Sequence, residues 1–271
     1  MKNNPLLQLE AFDQSIWMDF IRRGMITSGE LQQLIEKDGI SGVTSNPSIF
    51  EKAIVESHDY DEAIRSLTRN GLTSDEIYQA LTVEDIQNVA DLLRPTYART
   101  NGQDGFVSLE VSPRLAHDTV GSIEEARQLW SLVDRPNAMI KVPATLEGIP
   151  AIQQLIGEGI NVNITLLFGL PRYKQIADAY IIGLETLATK GGNLKQVASV
   201  ASFFLSRIDV NLDPLLEKKI RGGGPQAKIA ARLHGQVAIA SAKVAYQIYN
   251  EIFSSDRFRK LTKIGARAQR L

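Results

Sequence analysis

Short runs of Val, Ile and Leu alternate along the chain with longer stretches whose apolar residues recur at helical spacing. That order predicts parallel strands joined by crossover helices, an α/β fold. Strands are expected at residues 15–20, 42–44, 105–111, 138–142, 160–166 and 197–203. A long helix is expected from Pro225, just after Arg221-Gly222-Gly223-Gly224, with Ile229, Leu233, Val237, Val244, Ile248 and Ile252 on one buried stripe. Residues 47–101 read as a helical insertion between the second and third strands, with Thr73-Ser74-Asp75-Glu76 and Thr82-Val83-Glu84-Asp85 as helix starts. Asn101-Gly102 and Asp104-Gly105 end it in turns. No repeat or linker divides the chain, so residues 1–271 read as one domain.

Polar residues inside the strands follow the two-residue period that sends them to one side. Ser15, Trp17 and Asp19 oppose Ile16, Met18 and Phe20; Ser108 and Glu110 oppose Val107, Leu109 and Val111; Asn161, Asn163 and Thr165 oppose Val162, Ile164 and Leu166. In a parallel sheet covered by helices the polar set faces the interior of a barrel. Carboxylates, amides and hydroxyls near the C-terminal ends of strands match the place where (β/α)₈ enzymes hold their chemistry.

Lys141 stands in Met139-Ile140-Lys141-Val142-Pro143, an otherwise apolar strand. Burial there disfavours the charged form of an amine and leaves more of it nucleophilic, as Schiff-base chemistry requires. The plainer reading is a strand-end lysine that reaches water or pairs with a carboxylate. Glu110 and Asp19 could shuttle the protons of imine chemistry, or simply join Lys141 in an ion-pair cluster. Asn46, Asn163 and Thr165 suit hydroxyl-rich ligands but equally suit turns and strand ends. Arg207 could clamp a phosphate or be a surface cation at a helix start.

Composition narrows the classes. The 271 residues carry 30 basic and 31 acidic side chains, a net charge of −1, so no global positive field draws nucleic acid or an anionic membrane surface. With 44% apolar and 23% charged residues the chain is not dominantly disordered. No cysteine is present, which removes disulfides, thiolate metal sites and a cysteine nucleophile. His58, His117 and His234 have no metal-ligand spacing, and Gly222-Gly223-Gly224 lacks the ending of a phosphate-binding loop. No signal core or membrane span is found, and the expected location is cytoplasmic.

Six segments, in order, resemble the transaldolase family. They are Ile16-Trp17-Met18-Asp19, Gly42-Val43-Thr44-Ser45-Asn46-Pro47-Ser48, Val107-Ser108-Leu109-Glu110-Val111, Ile140-Lys141-Val142-Pro143-Ala144-Thr145, Asn161-Val162-Asn163-Ile164-Thr165-Leu166-Leu167-Phe168 and Ala201-Ser202-Phe203-Phe204-Leu205-Ser206-Arg207. The long helical excursion and the helix after the glycines resemble the family's larger bacterial branch. The resemblance implies a TIM (β/α)₈-type barrel, of which this chain accommodates six βα units. The ending Ala268-Gln269-Arg270-Leu271 resembles the start of a seventh strand, an apparent truncation that would expose strand edges and apolar surface.

The implied activity is transfer of a dihydroxyacetone unit between sugar phosphates in the non-oxidative pentose phosphate pathway. The implied catalytic residues are Lys141 as the Schiff-base amine, Asp19, Glu110 and Thr165; the implied substrate-binding residues are Thr44, Asn46, Asn163, Ser202 and Arg207. No metal or organic cofactor is expected, phosphorylated sugars are the expected partners, and the resemblance suggests a homodimer. A related class I aldolase that releases free dihydroxyacetone, and a noncatalytic barrel fragment, are the alternatives.

Overall fold

The computed structural model describes residues 4–271, and the chain divides into two compact units, Met1–Lys141 and Val142–Leu271. The first unit runs α1 (Pro5–Leu9), β1 (Ile16–Met18), α2 (Arg23–Thr27), α3 (Glu30–Asp38), β2 (Ile40–Thr44), α4 (Pro47–Val55), α5 (Asp61–Arg69), α6 (Ser74–Arg99), β3 (Phe106–Glu110), α7 (Thr119–Val133) and most of β4 (Ala138–Pro143). Within it β1, β2, β3 and β4 pair in parallel in that order. Val43, Val107 and Ile140 are wholly buried on the strands, as are Ile86, Val89 and Leu93 on α6, which packs on β2 and β3.

Capping explains several helix starts. The Thr73 side chain accepts from the Glu76 N–H while Glu76 reaches back to Thr73, so the expected capping box starts α6. The second expected start, at Thr82, is corrected: α6 runs through it uninterrupted, and Thr82 Oγ1 donates to the Tyr78 carbonyl one turn back. Asp85, on the buried side of α6, accepts from Arg23 Nε and Tyr60 Oη, both at 2.8 Å. Burial pushes its carboxyl up while Arg23 and Tyr60 pull it back, so the α2–α6 packing rests on a paired buried charge.

Between β1 and β2 side-chain packing requires a glycine. Gly42 is the register partner of Trp17, whose indole N–H donates to Asp104 Oδ1 at 3.3 Å; a Cβ on Gly42 would lie 2.2 Å from the indole ring. Gly42→Ala is therefore expected to destabilise the protein by about 2–3 kcal/mol, as overpacked sites do. Urea denaturation at equilibrium checks this, and an unchanged midpoint would refute it.

The second unit contains the end of β4, α8 (Gly148–Ile156), β5 (Val162–Leu167), α9 (Leu170–Thr189), β6 (Ser199–Phe203), α10 (Ser206–Gly222), α11 (Pro225–Leu233), α12 (Val237–Phe253) and α13 (Asp256–Thr262). Ala144, just past β4, donates its N–H to the Thr165 carbonyl of β5 at 2.8 Å, and β5 pairs in parallel with β6. Arg270 forms a parallel bridge to Val200, donating to the Ser199 carbonyl and accepting from the Ala201 N–H. The segment around Arg270 thus pairs with β6 through one isolated parallel bridge. All six expected strands are present, with ends shifted by one or two residues, and their βα repeat is that of a TIM-type α/β fold.

Two expectations are corrected in this unit. The helix from Pro225 is two helices, broken at His234-Gly235-Gln236, where Gly235 takes a left-handed φ of 66°. Of the expected stripe Ile229, Leu233 and Val244 are exposed, while Ile248 is buried as expected, with Ala238 and Ala245 buried on the same helix. In β5 the alternation stops at Leu166, which is 46% exposed with a φ of 55°; the register against β6 slips there, and Leu167 takes the buried place. Among the described residues no helix is long and apolar enough to cross a membrane.

Candidate active site

Strand parity and sheet register bring two of the expected residues into contact. Glu110 on β3 and Lys141 on β4 are register partners, so their side chains leave adjacent strands on the same side at the C-terminal ends. Lys141 Nζ lies 3.3 Å from Glu110 Oε2 and donates to the Ser45 backbone carbonyl at 3.0 Å. Lys141 is 4% exposed, so the amine does not extend along its stem to bulk water.

Burial pushes the Glu110 carboxyl above the ordinary glutamate range. Lys141 draws it back down by charge and hydrogen bonding, and the negative charge of Asp19 adds to the rise. Asp19, exposed just after β1, is thus within electrostatic reach of Glu110. A carboxyl held above its ordinary range beside a buried amine has the proton affinity and the partner that a general acid–base group requires. On its far side Glu110 borders a cavity of about 410 Å³ shared with Tyr78, Arg114 and Glu125. Burial, with Glu110 and Glu125 adding, pushes the Tyr78 hydroxyl up to about 12. Lys141 is not among the residues lining that cavity.

The remaining residues of the first unit are less uniform. Thr44 Oγ1 is buried and makes no hydrogen bond to a described residue. Asn46 caps α4, accepting from the Ile49 N–H at 3.0 Å, so its carbonyl end serves the backbone. Ser15 Oγ and Trp17 Nε1 both bond Asp104, so the other polar residues near β1 hold structure.

In the second unit Ser202 Oγ donates to Asn163 Oδ1 at 2.7 Å, joining two expected substrate-binding residues. Asn163 and Thr165 are almost wholly buried, and Asn161 is spent on the backbone, its Oδ1 accepting from the Ala198 N–H. Arg207 is exposed in the first turn of α10, its guanidinium 5.7 Å from the Phe204 ring centroid. Phe204 in turn stacks on Phe168 at 5.3 Å. Sequence reasoning passed over Ser45, the acceptor for Lys141. Its signal was a small hydroxyl residue directly after a strand end, where hydroxyls bond neighbouring backbone.

Residues 16–268 match the family described as Transaldolase/Fructose-6-phosphate aldolase. The chain belongs to that family. It is 48% identical over 274 residues to Transaldolase 2 of Nostoc sp., the match covering 100% of this chain and 72% of that protein. It is 47% identical over 268 residues to the transaldolase of Saccharopolyspora erythraea, covering 99% of this chain and 70% of that protein. The transaldolase of Mycobacterium bovis is 44% identical over 270 residues, with 99% and 71% covered. These relationships make the chain a transferase of the transaldolase type, acting on phosphorylated sugars.

Proposed function

We propose that this transaldolase moves a dihydroxyacetone unit from sedoheptulose 7-phosphate or fructose 6-phosphate to glyceraldehyde 3-phosphate or erythrose 4-phosphate, through a Schiff base on Lys141. The observation that carries the reading is the buried amine of Lys141, 3.3 Å from a carboxyl that burial holds high. Glu110 takes one proton from the Lys141 ammonium, and the neutral amine attacks C2 of the ketose while Glu110 returns that proton to the carbonyl oxygen, giving the C2 hydroxyl. Glu110 then takes a second proton from the nitrogen and delivers it to the C2 hydroxyl, which leaves as water and gives the iminium, with Glu110 ionised again. Asp19 removes the C4 hydroxyl proton; the C3–C4 bond breaks, its electron pair passes into the iminium as an enamine, and an aldose phosphate departs. The enamine carbon attacks the acceptor aldehyde, whose oxygen recovers the proton from Asp19, and hydrolysis of the new iminium frees the product and the lysine.

Thr44 and the amide nitrogen of Asn46 are assigned to hydroxyls of the bound unit in the first unit of the chain. In the second, Thr165 takes part in proton transfer, Asn163 and Ser202 orient hydroxyls, and Arg207 holds phosphate. These are the roles that the family resemblance implies for residues of these types. Well-oriented binding of this kind can contribute roughly 7–11 kcal/mol of barrier lowering.

The test is transfer from fructose 6-phosphate to erythrose 4-phosphate, with the products separated and quantified. Sedoheptulose 7-phosphate and glyceraldehyde 3-phosphate in equal amounts are expected. Free dihydroxyacetone in place of the heptulose would reveal a simple aldolase, and no turnover of either kind would refute both.

A further inference from the structure

The Lys141 amine faces two acceptors of different character. Glu110 must pick up and give back protons during the reaction, so its bond to the nitrogen comes and goes. The Ser45 carbonyl, at 3.0 Å, is a backbone oxygen that does not titrate in the working pH range. A neutral amine has two N–H bonds, one bond to Cε and one lone pair, arranged tetrahedrally. With one N–H on Ser45 and the other on Glu110, the lone pair is left a single direction. Once the iminium forms, its nitrogen keeps one hydrogen, and Ser45 is the acceptor whose charge never changes.

What fixes that carbonyl is the Ser45 side chain. Ser45 is wholly buried, and its hydroxyl donates to the Ser108 carbonyl at 2.8 Å, two residues before Glu110 on the same strand. On its other side the chain is held by the Asn46 cap and by Pro47 at the start of α4. The hydroxyl therefore ties the peptide group that holds the amine to the strand that carries the base.

We propose that Ser45 is a positioning residue for the Schiff base: its hydroxyl anchors the carbonyl that aims the Lys141 nitrogen at the ketose carbonyl. The inference rests on the Schiff-base reading above, and its test separates the two. Wild-type enzyme is mixed rapidly with fructose 6-phosphate and quenched into borohydride at increasing times, and the Lys141 adduct is counted by peptide mass. The same series is run on Ser45→Ala and Ser45→Cys, with thermal melting recorded for each. Ser45→Ala is expected to form the imine about 10–100-fold more slowly, the cost of misplacing reacting atoms by about 1 Å. Its KM should stay within about twofold, since no substrate contact is lost.

Ser45→Cys, with similar volume and a weak donor, should fall between wild type and alanine, and it carries the comparison if the alanine variant does not fold. Imine formation at the wild-type rate in a folded variant overturns the proposal, even if its melting temperature drops, because a purely structural hydroxyl would do only that. No Lys141 adduct in the wild type would instead overturn the Schiff-base reading itself.

Discussion

Replacing Lys141 with methionine should reduce dihydroxyacetone transfer by a factor on the order of 10⁴ or more, the scale seen when a covalent nucleophile is removed. Methionine keeps the length and apolar stem of the side chain and so isolates the amine from the packing around it. Borohydride should then trap no adduct in the presence of fructose 6-phosphate, while circular dichroism stays that of the wild type. The substitution also changes the surroundings of Glu110. Lys141 pulls that carboxyl down, so its loss allows burial and Asp19 to push it higher still. A carboxyl raised in the folded state binds its proton more tightly than in the unfolded chain, so stability rises as pH falls through the interval between the ordinary glutamate range and the raised value. The variant should consequently be less stable than wild type near neutrality and recover part of the difference on mild acidification. Melting curves across that interval decide the point: a deficit independent of pH would mean that Glu110 and Lys141 are not coupled.

The residues that meet at this site were legible because they obey the two simplest rules of a parallel sheet. Alternation put Glu110 and Lys141 on definite sides of their strands, and their apolar neighbours made both conspicuous. Whether they would touch depended on register, which alternation does not contain; the Glu110–Lys141 pairing appears only in the sheet. For Ser45 only the hydroxyl, placed directly after a strand end, carries a signal in the sequence; the atom that accepts from Lys141 is a backbone oxygen, which every residue carries. Leu166 broke the alternation through a local slip of one strand against another, a tertiary event with no mark of its own in a run of Ile, Leu and Thr. The split near Gly235 was readable in principle, since a glycine flanked by His234 and Gln236 is a poor continuation of a helix. The apolar stripe that ran across it was the more persuasive signal. Asn46 and Asn161 show the opposite case: amides at strand ends look alike in sequence whether they serve a ligand or the backbone, and both lend their oxygens to the backbone.

Glu110→Gln is expected to lower kcat/KM by roughly 10²–10⁴, the usual contribution of a positioned acid–base group. The loss should come with a change in pH dependence that distinguishes chemistry from packing. On the proposed mechanism Glu110 must be ionised to accept the proton shed by the lysine, so activity should fall as pH drops through its raised value. The acid limb of the profile should therefore lie above the ordinary glutamate range. Glutamine fills the same volume and retains a carbonyl oxygen facing Lys141 but cannot exchange a proton, so the residual activity should lose that limb. Rapid-quench trapping locates the defect: Glu110→Gln should slow the appearance of the Lys141 adduct, whereas Asp19→Asn should form it and fail to release the aldose phosphate. An unchanged acid limb in Glu110→Gln would assign the titration to another group and leave Glu110 as only the electrostatic partner of the lysine.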